Sequence, residues 1–405
     1  MKKIKLGVVG YGKRGISLSK AAMLTGECDI VAVCDEYEDR VEKAKALVLE
    51  KSGAEPHGYI DYKELINDSE VEAVLVATAW ESHVEIAVKC MEAGKYVAIE
   101  VGGAYSIDDC WQLVRTYEKT GTPLMFMENC CYDKFELITT ALVRAGKLGT
   151  IVHCHGAYSH DLRDEIAGGY VDRHYRLRNY INRNCENYPT HELGPIAKIL
   201  NINRGNRMLS LVSMSSKSAG LSDFLLTDKN PDPSLVGTTF NQGDIVNTII
   251  KCAGGETISL KLDTTLPKYY SREFTVRGTK GLANQEADMI AIEGECDTHD
   301  YWGNVKNSDK YIDYLADVQK NVSAEERAAG HGGVDYIEFK EWFAAIREGR
   351  EMPIDVYDAA AWMSITALSE ASIAQGGAPQ TVPDFTNGKW LIRKPLDATK
   401  LPEVK

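Results

Sequence analysis

At 405 residues the chain is too long for one typical core and short for three, so about two domains are expected. With 44% hydrophobic and 26% charged residues it has the composition of an ordinary soluble globular protein, and no apolar run approaches the ~20 residues of a membrane span. Its formal net charge of -13, from 59 acids against 46 bases without a long single-sign run, argues against a nucleic-acid binder and for a small-molecule partner.

Met1-Lys2-Lys3-Ile4 passes straight into an apolar run, leaving no room for an export signal, so a cytoplasmic location is expected. The 10 cysteines contain no Cys-x-x-Cys pair, and Cys34, Cys154 and Cys252 sit in apolar runs, as reduced core thiols do.

Short β-rich runs at 4–9, 30–34, 74–77, 96–99 and 124–127 alternate with helical patterns at 16–23, 37–49, 83–93 and 107–119. Runs this apolar, separated by helices, predict a parallel sheet buried on both faces. Residues 1–127 are therefore read as a doubly wound α/β domain. From residue 128 the candidate strands crowd together, at 151–155, 209–214, 245–251, 257–262 and 273–276, with Gly254-Gly255 as a hairpin turn. Helical patterns at 336–347 and 356–374 precede a polar tail from Val382. Residues 128–405 thus read as an α+β domain on a mostly antiparallel sheet, with 227–233 its most mobile loop.

Gly10-Tyr11-Gly12-Lys13-Arg14-Gly15 follows the first strand and opens the first helix. In such a turn the first glycine permits the bend, the second lets a pyrophosphate approach the backbone, and the third allows close helix-strand packing. Asp35 ends the second strand 20 residues after Gly15, where a carboxylate accepts from ribose hydroxyls. The alternative is a tight turn with Asp35 only capping a helix. Asp35 favours NAD over NADP because it would repel a 2′-phosphate, although Lys13 and Arg14 lean the other way.

These features resemble the Gfo/Idh/MocA oxidoreductase superfamily, whose usual Glu-Lys-Pro motif at the fifth strand is here Glu100-Val101-Gly102. Without the lysine, an ordinary dehydrogenase mechanism is not implied. Cys130-Cys131-Tyr132, 156–163, Tyr188-Pro189-Thr190-His191, 202–205, His331-Gly332-Gly333, 357–360 and Pro383-Asp384-Phe385 are similar, in order, to segments of the NAD-dependent glycoside hydrolases typified by α-N-acetylgalactosaminidase. Departures are Gly102 for a common proline, Glu192 for a small residue, and the absent export signal.

The resemblance implies glycoside cleavage through transient oxidation at C3, elimination across C1 and C2, water addition and reduction, the cofactor carrying the hydride. It places Trp80, His83, Glu100, Val101 and Asn129 at the nicotinamide side, and Tyr158, Arg176 and Tyr270 beside the sugar. Tyr188 and His191 share a face if Pro189 starts a helix, and histidine titrates near neutrality as a C3-hydroxyl base should. The family match assigns them that catalytic role; Tyr158 is read as a weak acid or base at C2 on the condition that a cation lowers its pKa, and a satisfied core histidine is the bland reading of His191. His153, His155, His160 and Asp161 cluster, but no spacing completes a metal set, so no metal is expected. The competing functions are a sugar or cyclitol dehydrogenase and a sugar-responsive NAD-binding regulator. The superfamily often pairs through the open face of its second sheet, so a homo-oligomer is expected.

Overall fold

Residues 2–295 and 306–403 are described in a computed structural model of the chain. Its first third runs β1 (Ile4–Val9), α1 (Lys13–Leu24), β2 (Cys28–Cys34), α2 (Glu38–Ser52), β3 (His57–Tyr59), α3 (Tyr62–Asn67), β4 (Ala73–Val76), α4 (Trp80–Glu92), β5 (Tyr96–Glu100), α5 (Ile107–Thr120) and β6 (Leu124–Met127). These strands form one sheet in the order β3-β2-β1-β4-β5-β6, every pair parallel. Helices cover both faces, so β4 and β6 are buried at every position and show no polar alternation. Strand order reverses between β1 and β4, which opens a crevice at their carboxyl ends. The short edge strand β3 and the six-residue α3 escape the sequence pattern, being too brief to carry a period.

The rest of the chain carries α6 (Lys134–Arg144), β7 (Ile151–Ser159), α7 (Arg163–Ala167), α8 (Arg176–Asn182), α9 (Thr190–Ile199), β8 (Met208–Ser215), α10 (Gly220–Leu225), β9 (Ile245–Cys252), β10 (Thr257–Asp263), β11 (Thr275–Gly278), β12 (Gly281–Asn284) and β13 (Met289–Ile292). It continues with α11 (Asp317–Lys320), α12 (Ala324–Ala328), α13 (Val334–Glu348), α14 (Val356–Ala374) and β14 (Gln380–Thr381). The second sheet has the order β13-β12-β11-β7-β10-β9-β8-β14, antiparallel throughout except for the parallel β7/β10 pair. Gly255, at φ 100°, turns β9 back into β10.

One face of this sheet is packed, with Cys154, Ile250, Ile258 and Val276 fully buried, while Ile249 and Met214 stand exposed on the other. Helix α14 lies between α5 and β8 and so is apolar nearly all round. The segment after Val382 is not the solvated polar tail its composition suggests. Val382, Phe385 and Ala398 are buried, Phe385 packs on Trp111, and Asp397 receives Arg144.

Candidate functional site

The glycine turn at the end of β1 has the geometry a dinucleotide needs. Gly10 sits at φ 97°, where a Cβ would lie 2.5 Å from the Ala77 carbonyl oxygen, and a Cβ on Gly15 would lie 1.9 Å from that of Gly10. Gly12 instead faces open space, with nothing nearer to its missing Cβ than Arg40 at 4.0 Å. Asp35 accepts from the backbone N–H of Tyr11 (2.7 Å) and of Tyr37 (3.0 Å), which fixes its carboxylate at the tip of β2. It both orders the start of α2 and faces the turn.

The two basic residues of the turn are committed elsewhere. Lys13 pairs with Asp172 at 3.1 Å. Arg14 reaches Glu100 (3.0 Å) and forks onto Asp335 (2.6 and 3.0 Å), a buried carboxylate on α13. Burial pushes the Asp335 carboxyl up, but Arg14 and His331 more than offset this and hold it far below the carboxylate range. Burial wins at Glu100, which is raised despite Arg14. Asn129 does not project freely into the crevice, since its amide donates to Asp335 at 2.7 Å.

At the carboxyl ends of β4 and β5, Trp80 opens α4 and His83 follows one turn on. Burial drives His83 down to about 4, so its ring is neutral, 3.1 Å from the Thr78 carbonyl. Among the described residues, Trp80 Nε1 and Glu100 Oε2 are buried without a hydrogen-bond partner. Val101, where a lysine is usual, is buried, and the Trp80 indole covers Gly102, leaving only 2.4 Å to a Cβ there. Trp80 stacks on Tyr188 with ring centroids 5.5 Å apart, and the Arg176 guanidinium lies over both rings at 5.1 and 4.8 Å while pairing with Glu165 at 2.7 Å.

Pro189 does cap a helix, α9, so Tyr188 and His191 share a side, their rings 4.9 Å apart. Tyr188 Oη stands 3.5 Å from His191 Nε2, and His191 Nδ1 is 2.7 Å from Glu128 Oε1. Glu128, directly after β6, is fully buried; burial raises its carboxyl, but the His191 ring and neighbouring donors prevail and keep it below the ordinary range. Gly194 permits this approach, because a Cβ there would lie 2.6 Å from Glu128 Cγ. The sequence carries one signal of Glu128, an acid placed directly after a wholly apolar strand.

Tyr158, on β7, meets Tyr188 at 4.7 Å and His191 at 5.6 Å between centroids; burial pushes its phenol up to about 12, with Arg176 pulling the other way. Tyr270 sits half-exposed at the rim, 6.3 Å from Tyr158, and accepts from Arg272. The histidine cluster divides: His153 and His155 lie on the opposite sheet face against Thr257, Ser259 and Glu273, whereas His160 turns to Tyr158. Among the described residues Glu128, Cys130 and His191 bring potential metal-ligand atoms within 4.8 Å, but the Glu128–His191 contact already joins two of them and burial drives the Cys130 thiol far up.

Beneath the sheet, Glu192 and Glu186 are buried with no side-chain hydrogen-bond partner among the described residues. Burial, then Glu186, raises Glu192; burial raises Glu186 from 4.5 to about 8. The folded state therefore holds protons the unfolded chain has released, and stability falls as pH rises from 4.5 towards about 8, by up to ~1.4 kcal/mol per pH unit per group. Glu192→Gln is expected to raise the urea midpoint at pH 8 and flatten this dependence; a midpoint unchanged at pH 8 sinks that account.

The parallel sheet with its glycine turn gives the first third of the chain the fold of a dinucleotide-binding domain, joined to a mostly antiparallel second sheet. Residues 4–128 match the oxidoreductase family with an NAD-binding Rossmann fold, and residues 132–392 match the glycosyl hydrolase 109 C-terminal domain. An α-N-acetylgalactosaminidase of Tannerella forsythia is 36% identical over 98% of this chain and 89% of its own length. A glycosyl hydrolase family 109 protein of Parabacteroides distasonis is 35% identical over 97% and 89%. The chain belongs to glycosyl hydrolase family 109. A levoglucosan dehydrogenase solved with NADH and levoglucosan shares the fold, with a TM-score of 0.69 at 17% identity over 95% of this chain and 100% of that one.

Proposed function

We propose that this chain hydrolyses N-acetylhexosamine glycosides, α-N-acetylgalactosaminides first among them, using NAD rather than NADP as a retained cofactor. The observation that carries the reading is the Glu128–His191–Tyr188 line at the carboxyl end of the parallel sheet, beside a buried Val101. Gly10, Gly12, Gly15 and Asp35 would hold the dinucleotide, with Trp80, His83, Glu100 and Asn129 around its nicotinamide; the open face of Gly12 and the unpartnered Trp80 Nε1 and Glu100 Oε2 fit it. Bound there, NAD⁺ would supply the hydride acceptor and donor for C3. Glu128 keeps the His191 proton on Nδ1, leaving Nε2 to take and return the C3-hydroxyl proton. Tyr188, raised well above the usual phenol range by burial, stays a hydrogen-bond donor, and Arg176 orients the sugar or its acetamido carbonyl.

A panel of aryl α- and β-glycosides assayed with and without NAD⁺ tests this. Cleavage without net reduced cofactor is expected, together with exchange of the C2 hydrogen in D₂O; steady cofactor reduction without cleavage would make the chain a sugar dehydrogenase instead. The unpaired, buried state of the nine described cysteines supports a reducing cytoplasmic setting. Ile249 and Met214, 52% and 61% exposed on the open face of the second sheet, support pairing of two copies there, which the mass in solution tests.

A further inference from the structure

Two hydroxyl-imidazole pairs stand in this site, and the chemistry proposed so far uses only one. Tyr188 Oη lies 3.5 Å from His191 Nε2, and Tyr158 Oη lies 3.5 Å from His160 Nδ1. The pairs are in contact through the Tyr158 ring, 4.7 Å from Tyr188 and 6.0 Å from His160. His160 follows the last residue of β7, and its backbone N–H donates to the Asp263 carbonyl at 2.9 Å, so the loop leaving the strand is pinned to β10. Its half-buried ring sits edge-on to Tyr270 at 5.3 Å, which fixes the imidazole over the rim.

We propose that His160 is the proton partner of Tyr158, so that the Tyr158–His160 pair serves C2 while the His191–Glu128 pair serves the C3 hydroxyl. This rests on the glycosidase reading and deepens it. The reaction removes one proton from the C3 hydroxyl oxygen and a second from C2 before either is returned, and one imidazole cannot hold both. Nor does Tyr158 suffice alone: burial pushes its phenol up, so it holds its proton at neutral pH. Burial and the nearby Arg176 hold His160 below its ordinary value, against Glu165 and Asp161, so the ring is neutral and able to accept.

With C3 a ketone, the C2–H bond breaks and its electron pair becomes the C1=C2 bond, while the C1–O bond breaks with its pair on the departing oxygen. The C2 proton goes to Tyr158 Oη as the phenolic proton goes to His160 Nδ1. Water protonates the departing oxygen, the hydroxide so formed adds to C1, and the relay runs backwards to restore the C2 hydrogen. Tyr158 and His160 end as they began.

The test uses the holoenzyme, His160→Ala and His160→Gln with an aryl α-N-acetylgalactosaminide in D₂O. Three quantities are followed: reduced-nicotinamide absorbance on mixing, deuterium incorporation at C2, and rescue by added imidazole. Both variants are expected to keep the absorbance change while C2 exchange and cleavage fall about 10²-fold or more, with imidazole restoring His160→Ala. C2 exchange at the wild-type rate overturns the proposal, as does joint loss of absorbance change and exchange in both variants without imidazole response, which marks a packing role. Wild-type enzyme that neither cleaves nor exchanges any glycoside overturns the glycosidase reading itself.

Discussion

His191→Ala is expected to lower kcat/KM about a thousandfold through lost proton transfer, and also to lower the melting temperature, because it leaves the buried Glu128 carboxylate without its main partner. Glu128→Gln separates positioning from bulk. The carboxylate can only accept, so it keeps the His191 proton on Nδ1 and leaves Nε2 free to accept from Tyr188 or substrate. A glutamine amide of the same size can donate instead, which permits the opposite tautomer and turns Nε2 into a donor; a loss of about a hundredfold or more is expected. Both variants should retain the dinucleotide, read by its absorbance after gel filtration. A Glu128→Gln enzyme with wild-type kcat/KM would show that the contact is structural only.

What the sequence disclosed follows the range of the interactions. The first domain was legible because β1, β4 and β6 are short apolar runs punctuated by helices, and Gly10 and Gly15 each answer a local steric demand. Helix α14 matched its pattern end to end. Helix α6 lies outside the patterns drawn from the sequence, although Phe135, Ile138 and Leu142 recur at helical spacing there. In the site, Trp80, Tyr158, Arg176, Tyr188 and His191 do come together, while Tyr270 stands at the rim. The groups that orient them were not visible. Glu128 lies 63 positions from His191, and Asp335 lies 321 from Arg14, separations at which spacing carries no information. Arg14 illustrates the cost: in the motif it suggested an affinity for phosphate, whereas its side chain is held by two carboxylates.

Those carboxylates also make Arg14 the residue whose loss should most harm the fold. Asp335 is wholly buried and takes both bonds of the Arg14 fork, with further support from Asn129 and His331. Glu100 shares the same guanidinium, and a third acid, Glu338, lies buried nearby with its oxygens unpartnered among the described residues and its carboxyl raised by burial and then by Asp335. Arg14→Met leaves this group of acids without its main cation, which is expected to cost about 3–5 kcal/mol, read as a lowered urea midpoint. Arg14→Lys should recover only part of this, since an ammonium cannot reproduce the fork. The double variant Arg14→Met with Asp335→Asn should be more stable than Arg14→Met alone, because removing both charges is far less costly than stranding one. Since α1 and α13 meet at this contact, the single variant should also loosen the dinucleotide site. Full stability of Arg14→Met would mean that Asp335 and Glu100 are protonated in the folded enzyme, and that the guanidinium only fills space between them.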